Sequence, residues 1–258
     1  MYPIICNFAG ITIYSYGLLV AIGLFSAFLY ISQTLKKTKY ALISQENFHT
    51  LFFFTVIFGA IGARLLYVIT DFTYYFSYPL EVFQIWKGGI VYYGGFALGF
   101  LFIAAYVCIK KISFLKICDL FAPALALGHF FGRLGCFFAG CCYGKETKVP
   151  WSVVFTNANA LAVKGSHIHP TQLYESFANF LLFLFLWLYP KKKKCHDGFV
   201  LVVYLFSYAA IRFTVETFRG DFRGIKIASF SISQAASVVL FIAAIFVMRK
   251  VRVLCKKN

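Results

Sequence analysis

Seven stretches of about twenty mainly apolar residues recur along the chain, and this pattern constrains the fold more than any other feature. As a helix, each stretch is long enough to cross a hydrocarbon core about 30 Å thick. Hydrophobic residues fill 61% of the 258 positions and charged residues 13%, which excludes an ordinary soluble domain. We therefore predict an all-α polytopic membrane protein with a single membrane-embedded domain over residues 1–258. The predicted spans are 13–34, 50–70, 90–109, 115–138, 173–189, 199–218 and 229–248.

The net charge of +16 comes largely from short basic clusters between the spans, so it predicts membrane orientation rather than nucleic-acid binding. These clusters occupy alternate loops and the C-terminal tail, and the positive-inside rule assigns them to the cytoplasm. The N-terminus is then outside and the C-terminus inside. No cleavage-site pattern follows the first apolar stretch, which predicts a retained span. The clusters are Lys36, Lys37 and Lys39; Lys110, Lys111 and Lys116; 191–194; and Arg249, Lys250, Arg252, Lys256 and Lys257.

The loops on the other side carry fewer basic residues, and the longest of them covers 139–172. We predict that this loop forms an external subdomain between spans 4 and 5, with a strand-like stretch at 151–155. Aromatic residues at 72–78 predict anchoring at the headgroup level. A run of glycines predicts close helix contact or a re-entrant segment, and comprises Gly88, Gly89, Gly94, Gly95 and Gly99.

Three arginines lie inside predicted spans: Arg64, Arg133 and Arg212. An arginine in a span costs about 2.5 to 3.5 kcal/mol on insertion scales. Each one therefore needs an anionic partner, a water-filled cavity or a place near the headgroups. These arginines mark the segments where chemistry is expected.

Arg219 and Arg223 follow at the predicted external end of span 6. Glu216 is one helical turn from Arg212 and from Arg219, which makes it the main nearby carboxylate. The planar guanidinium fork suits phosphate oxygens, so the arginines predict a site for a phospholipid headgroup. The alternative is a structural ion-pair network that holds helices together.

Several short motifs resemble those of bacterial prolipoprotein diacylglyceryl transferases, and the resemblance covers nearly the whole chain. Together, in this order and topology, the motifs are specific. They are YSYGL at 14–18, GAR at 62–64, YGG at 93–95, GRLG at 132–135, HPTQLYE at 169–175, YAAIRFTVETFR at 208–219 and SISQ at 231–234.

Enzymes of this family move a diacylglyceryl group from phosphatidylglycerol to the lipobox cysteine of a preprolipoprotein. The resemblance implies a bacterial inner-membrane transferase in which a thiolate displaces glycerol phosphate without a metal or other cofactor. It also implies that arginines hold the lipid phosphate, with tyrosines near the substrate. Candidate catalytic residues are Arg133, Arg212, Tyr93, Cys136, Cys141, Cys142 and His129. Candidate substrate-binding residues are Tyr16, Arg64, Gly94, Gly95, Gly132, Gly135, Tyr208, Glu216 and Arg219.

The chain departs from the family pattern on the side expected to handle the acceptor thiol. Tyr93 replaces the family histidine, and with an ordinary pKa of about 10 a tyrosine is a poor base. Cys136 and Ala139 replace two family asparagines, and Cys141 replaces a glutamate. His129, four residues before Arg133, shares its helix face and is either a substitute base or a buried structural histidine.

Three interpretations of Cys136, Cys141 and Cys142 remain open from the sequence. They pack as small residues beside glycines, or act as a reactive or redox-active thiol set, or bind a metal with His129, His167 or His169. Two alternatives to the transferase also remain. One is a divergent relative that uses the same lipid and another acceptor, and the other is a non-catalytic lipid-binding or sulfur-handling membrane protein.

Overall fold

The computed structural model describes residues 2–8, 11–37, 42–84, 88–192, 197–221 and 231–257. Within these ranges seven helices are long and apolar enough to cross a membrane, which confirms the predicted number of spans. The predictions for basic residues at Lys39, 193–194 and Arg223, and for the start of the seventh span at 229–230, concern positions outside the described residues. The membrane helices are α1 (Ser15–Lys37), α2 (Gln45–Thr70), α4 (Tyr92–Ile109), α5 (Phe114–Ala139), α6 (Thr171–Lys192), α7 (Phe199–Thr217) and α8 (Ile232–Lys257).

The chain divides into two compact units. The smaller unit is Ser32–Ile117, and the larger one combines Met1–Ile31 with Cys118–Asn258. In the smaller unit, a short helix α3 (Phe72–Ser77) and a 3-10 helix (Pro79–Phe83) follow α2. Helix α3 coincides with the aromatic segment predicted at 72–78.

Helices α2 and α4 pack closely in the smaller unit because glycines face each other across their contact. A Cβ atom on Gly62 would collide with the Gly94 carbonyl, and one on Gly95 would come within 2.8 Å of the Gly59 carbonyl oxygen. Small residues allow backbones to approach in this way within a membrane. The glycine run after residue 87 therefore provides close helix contact at Gly94 and Gly95, as predicted.

The larger unit begins with an antiparallel hairpin rather than with a helix. Strand β1 (Ile4–Phe8) pairs with β2 (Ile11–Tyr14), and the Ser15 amide donates to the Pro3 carbonyl over 3.0 Å. The predicted start of span 1 at residue 13 is therefore wrong by two residues. Ile11–Tyr14 continues into the apolar stretch of α1, so hydropathy alone does not separate it from the helix, although its β-branched residues favour a strand.

Helices α5, α6 and α7 share a buried core in the larger unit. Asp119 of α5 fixes the start of α7, since its carboxylate accepts hydrogen bonds from the Gly198 amide at 2.6 Å and the Leu201 amide at 2.8 Å. These bonds satisfy amides that the first turn of a helix leaves unpaired. The core consists of Ala122, Ala126, Leu182, Leu186, Val200 and Tyr204.

The loop between α5 and α6 has a small core of its own. Strand β3 (Val153–Val154) pairs with β4 (His167–Ile168), which confirms a strand within the predicted stretch 151–155. Phe155 and Ile168 are almost fully buried beside Ala160 and Ala162. This packing fixes the segment that leads into α6.

Candidate active site

A Schellman motif ends α5 and brings two predicted site residues together. The Cys141 amide donates to the Cys136 carbonyl at 3.1 Å, and the Gly140 amide donates to the Phe137 carbonyl at 3.2 Å. Gly140 has φ +73°, the left-handed conformation that this motif requires and that glycine adopts without strain. Side chains flanking a Schellman turn meet on one side of it, so the thiols of Cys136 and Cys141 become neighbours.

Cys142 completes the cluster through an unusual backbone conformation. Its φ of 61° is rare for a residue other than glycine and implies that the surrounding structure holds it in place. The sulfur atoms of Cys136, Cys141 and Cys142 lie within 4.8 Å of one another. All three are thiols in the structure, with no disulfide among them.

The first turn of α6 holds the thiol-bearing turn in position. The Thr171 hydroxyl donates to the Cys142 carbonyl at 2.9 Å, and the Gln172 amide group donates to the Cys141 carbonyl at 2.7 Å. Both side chains belong to residues that are 1% exposed. Gly144 also packs here, because a Cβ on it would lie 2.5 Å from the His169 carbonyl oxygen.

Glu175 of α6 lies between two of the predicted arginines. Its carboxylate is 3.0 Å from the Arg133 guanidinium and 3.2 Å from that of Arg212, and its side chain is 1% exposed. Sequence reasoning named Glu216 as the main nearby carboxylate and did not include Glu175 in the site. That assignment was incomplete, because Glu175 joins α5 to α7 through both arginines.

The ion-pair chain continues along α7 and beyond it. Glu216 is 2.7 Å from the Arg212 guanidinium and 3.8 Å from that of Arg219. Arg219 in turn forms two hydrogen bonds with Asp221, at 2.8 and 2.7 Å. Three guanidinium groups therefore face three carboxylates, so the structural network that the sequence left open is present.

Helix α8 supports this chain at its N-terminus. The Ser233 hydroxyl accepts from the Arg212 guanidinium at 2.7 Å, and the Ser231 hydroxyl donates to Glu216 at 2.8 Å. Ser231 also forms a capping box with Gln234, in which each side chain accepts from the other residue's amide. The SISQ motif thus both starts α8 and orients the carboxylate between Arg212 and Arg219.

The arginines also affect the neighbouring thiols. The pKa of Cys142 is lowered by the interaction of its sulfur with the Cys136 and Cys141 thiols, and Arg219 and Arg133 add favourable charge. The pKa of Cys141 is raised, chiefly by its interaction with the other two thiols. The cluster thus shares its protons unequally, with Cys142 as the member that ionises most readily.

Glycines beside Arg133 differ in the space around them. A Cβ on Gly132 would meet no heavy atom within 4 Å, whereas one on Gly135 would lie 3.1 Å from the Tyr16 ring. Tyr16 interacts electrostatically with Cys136 and Arg133, which places it at the thiol cluster. Open space therefore borders the α5 face at Gly132, the residue before Arg133.

His129 and Tyr208 lie next to each other one turn deeper along the helices. Their ring centroids are 4.6 Å apart, and Tyr208 stacks on Tyr204 with centroids 5.7 Å apart. His129 interacts electrostatically with Glu175 and both adjoining arginines. It is therefore part of the same group of residues, as its spacing from Arg133 suggested.

Arg64 is held by backbone carbonyls of the smaller unit, a kind of partner that the sequence did not suggest. Its guanidinium donates four hydrogen bonds of 2.6 to 3.0 Å to the segment that precedes α4. Its Cζ atom also lies over two aromatic rings, at 5.6 Å from the Tyr67 centroid and 5.2 Å from that of Tyr75. The acceptors are the carbonyls of Glu81, Val82, Gly88 and Gly89.

Tyr93 also lies in the smaller unit, in the first turn of α4, and its side chain is 51% exposed. Gly94 and Gly95 follow it and pack against α2. The remaining predicted site residues lie in the larger unit. Sequence reasoning missed Glu175, Thr171, Gln172 and Asp221, although the first three belong to the HPTQLYE motif that drew attention to 169–175.

Fold and site together define a polytopic membrane protein in which a buried arginine–carboxylate chain adjoins a cluster of thiols. The family model for prolipoprotein diacylglyceryl transferase matches residues 3–250, and the chain belongs to this family. It is 37% identical over 247 residues to a phosphatidylglycerol–prolipoprotein diacylglyceryl transferase of Clostridium tetani, covering 96% of both chains. It is 36% identical to transferase 2 of Clostridium perfringens, with 92% and 90% covered, and 33% identical to that of Thermosynechococcus vestitus, with 89% and 85% covered.

Proposed function

We propose that this chain transfers a diacylglyceryl group from phosphatidylglycerol to a cysteine thiol of a preprolipoprotein. A thioether forms at the glycerol carbon, and glycerol phosphate leaves with the electron pair of the broken C–O bond. The family and the names of the relatives support this activity. The structural observation that carries it is the chain of buried arginines, since their guanidinium groups supply oriented hydrogen-bond donors for the oxygens of a departing phosphate.

Arg133 is the member of the chain best placed to exchange a carboxylate for a lipid phosphate. Its side chain is 19% exposed, against 8% for Arg212 and 4% for Arg219. Gly132 beside it borders open space. Arg212 and Arg219 then contribute positive charge from more buried positions than Arg133. Glu175 and Glu216 keep the guanidinium planes oriented before lipid binds.

The other candidates have supporting roles in this proposal. Tyr16 and Tyr208 supply hydroxyl groups beside the arginines, and Gly135 allows Tyr16 to approach α5. His129 is adjacent to Tyr208 and is the candidate proton acceptor of this group. Gly94 and Gly95 act through α2–α4 packing, and Arg64 acts by ordering the segment before α4 that leads to Tyr93.

We propose further that the protein resides in the bacterial inner membrane with its N-terminus outside and its C-terminus in the cytoplasm. The basic clusters in alternate loops support this orientation. The site at the α5–α6 end of the larger unit then faces the outer leaflet, with residues 139–172 as its external part. Residues 1–258 act in this proposal as one transferase domain.

The test is a reconstituted reaction with phosphatidylglycerol and a lipobox peptide, followed by mass spectrometry of the peptide and assay of glycerol phosphate. We expect both products in equal amounts. Arg133→Lys keeps the charge but loses the planar fork, so kcat/KM should fall by at least about tenfold. Arg249→Lys at the exposed end of α8 is the matched control and should retain activity. Absence of both products with the unsubstituted protein would overturn the proposal.

A further inference from the structure

The proposed lipid site leaves the cluster of Cys136, Cys141 and Cys142 without a role. Packing alone explains it poorly, because Cys142 is held in a left-handed conformation that favours glycine. Nucleophilic catalysis by one of these thiols is also unsuitable. A diacylglyceryl thioether on the enzyme would not pass its group on, since a thiolate leaves an unactivated carbon poorly.

We propose that Cys136, Cys141 and Cys142 bind one Zn²⁺ ion, and that the open fourth position of this ion takes up the acceptor's cysteine as a thiolate. The second part of the inference rests on the proposed function. The sequence had suggested a metal only together with a histidine, and the resemblance implied none. The geometry points instead to three sulfur ligands.

The positions of the sulfurs suit a zinc ion. Zinc–sulfur bonds are about 2.3 Å long, which separates sulfurs around a tetrahedral ion by about 3.8 Å. The three sulfurs already lie within 4.8 Å of one another, so movements of under about 1 Å complete the set. Their backbone is fixed by the Schellman turn and by the hydrogen bonds from Thr171 and Gln172.

The surrounding charges suit a thiolate-rich metal site. Three thiolates and one Zn²⁺ ion carry a net charge of −1. Arg219 interacts electrostatically with Cys142, and Arg133, on the same helix as Cys136, interacts with Cys136 and Cys142. Partners of this kind around metal ligands hold the ligands in place and balance their charge.

Three protein ligands with one open position are the pattern of catalytic rather than structural zinc sites. An acceptor thiol that enters the fourth position loses its proton to water and becomes a bound thiolate. Its sulfur forms the new bond to the glycerol carbon, the C–O bond to phosphate breaks, and glycerol phosphate leaves beside the arginines. The neutral thioether is a weaker zinc ligand than the thiolate and dissociates.

This arrangement gives the three cysteines a role beside the arginine chain. A thiol bound to the metal loses its proton more readily, so the group that accepts the proton, water or His129, can be a weaker base. The cluster also adjoins Arg133, so the thiolate would form next to the bound lipid phosphate.

The first test is metal binding by the full-length protein, purified under reducing conditions, stripped with chelator and reloaded with Zn²⁺ or Co²⁺. We expect about one ion per chain and a thiolate-to-cobalt charge-transfer band. Cys142→Ser should weaken binding by at least about tenfold, whereas Cys108→Ser in α4 should not. Binding of Cu⁺ but not of Zn²⁺ or Co²⁺ would overturn the zinc assignment, as would binding equal to that of the triple serine variant.

A second measurement does not depend on whether the variants fold. In the unsubstituted protein, Zn²⁺ should protect Cys136, Cys141 and Cys142 from alkylation while Cys6 and Cys108 remain reactive. Equal labelling of the cluster with and without Zn²⁺ would contradict the site.

The open position is tested with the Co²⁺ form and a lipobox peptide in the absence of lipid. The fourth thiolate should raise the charge-transfer absorbance by about one third, and a peptide with serine in place of cysteine should leave it unchanged. No change with the cysteine peptide would overturn the acceptor role. Equal thioether formation by metal-free protein would also overturn it while the proposed function stands. Zinc and peptide binding without any thioether would instead contradict the proposed function.

Discussion

Glu175 forms an ion pair with Arg133 over 3.0 Å, although the glutamate side chain is only 1% exposed. Removing a charge from water costs several kcal/mol, so a buried carboxylate is stable only with close positive partners. Glu175 has Arg212 as well, at 3.2 Å. The two arginines therefore stabilise Glu175, and Glu175 keeps both guanidinium groups oriented in the absence of a lipid phosphate.

Glu175→Gln should destabilise the larger unit and abolish turnover. The amide keeps the side-chain volume but leaves Arg133 and Arg212 without a shared counter-charge, a loss of about 3 to 5 kcal/mol for a buried pair. We expect a clearly lower unfolding midpoint in detergent, together with loss of thioether product.

Glu146→Gln is the matched control, because Glu146 is exposed in the loop between α5 and α6. It should leave both the midpoint and the activity unchanged. A Glu175→Gln protein with unaltered stability would mean that Glu175 does not support the two arginines.

Gly132→Leu should reduce activity without preventing folding. A side chain at Gly132 enters open space next to Arg133, where we propose that the lipid phosphate binds. Bulk at this position should raise KM for phosphatidylglycerol while the unfolding midpoint stays close to that of the parent. Titration of the lipid in the thioether assay measures this effect.

Gly94→Leu provides the contrast, because its side chain would collide with the backbone of α2 at Gly62. Overpacking of this kind should lower the yield of folded protein. If Gly132→Leu retained the parent KM, the proposed position of the lipid beside α5 would be wrong.

The number of spans was predictable because each membrane helix needs a long apolar stretch, and these stretches are plain in the sequence. Their ends were less so. Residues 11–14 are as apolar as a helix start, but they pair with Ile4–Phe8 as a strand, and such pairing depends on contacts that periodicity does not record. Helix α6 begins at Thr171, two residues before the predicted start, directly after Pro170.

Much of the candidate site was predictable from residue type, since an arginine inside a span needs a partner for its charge. The partners of the arginines were not predictable, because Glu175 contacts Arg212 from a position 37 residues away on another helix. The partners of Arg64 were unpredictable for a different reason, because they are backbone carbonyls, which have no sequence signature. The meeting of Cys136 with Cys141 was available from the sequence, because Gly140 at the end of a helix predicts a Schellman turn.

Cys142 should react with iodoacetamide at lower pH than Cys141 in chelator-treated protein. The pKa of Cys142 is lowered, so its thiolate persists when the pH falls below the ordinary thiol pKa of about 8.5. The pKa of Cys141 is raised, which keeps that thiol protonated at the same pH. Mass spectrometry of the cluster peptide after short labelling across a pH series measures both rates. Faster labelling of Cys141 near neutral pH would contradict the unequal sharing of protons.

Ser231→Ala should reduce both stability and activity, because this hydroxyl has two partners. It accepts from the Gln234 amide at 3.2 Å as the cap of α8 and donates to Glu216 at 2.8 Å. Loss of a cap costs about 0.5 to 2 kcal/mol. Glu216 would also lose a contact that orients it between Arg212 and Arg219, so kcat should fall as well.

Ser44→Ala separates the effect of losing a helix cap from the effect of losing the contact with Glu216. Ser44 caps α2 by accepting from the Asn47 amide at 3.2 Å, and it belongs to the smaller unit, whereas Arg133, Arg212 and Arg219 belong to the larger one. We expect a comparable loss of stability from each substitution, but a fall in kcat only for Ser231→Ala. Equal kcat values for the two variants, measured where both are folded, would show that Ser231 acts only as a helix cap and that Glu216 is oriented without it.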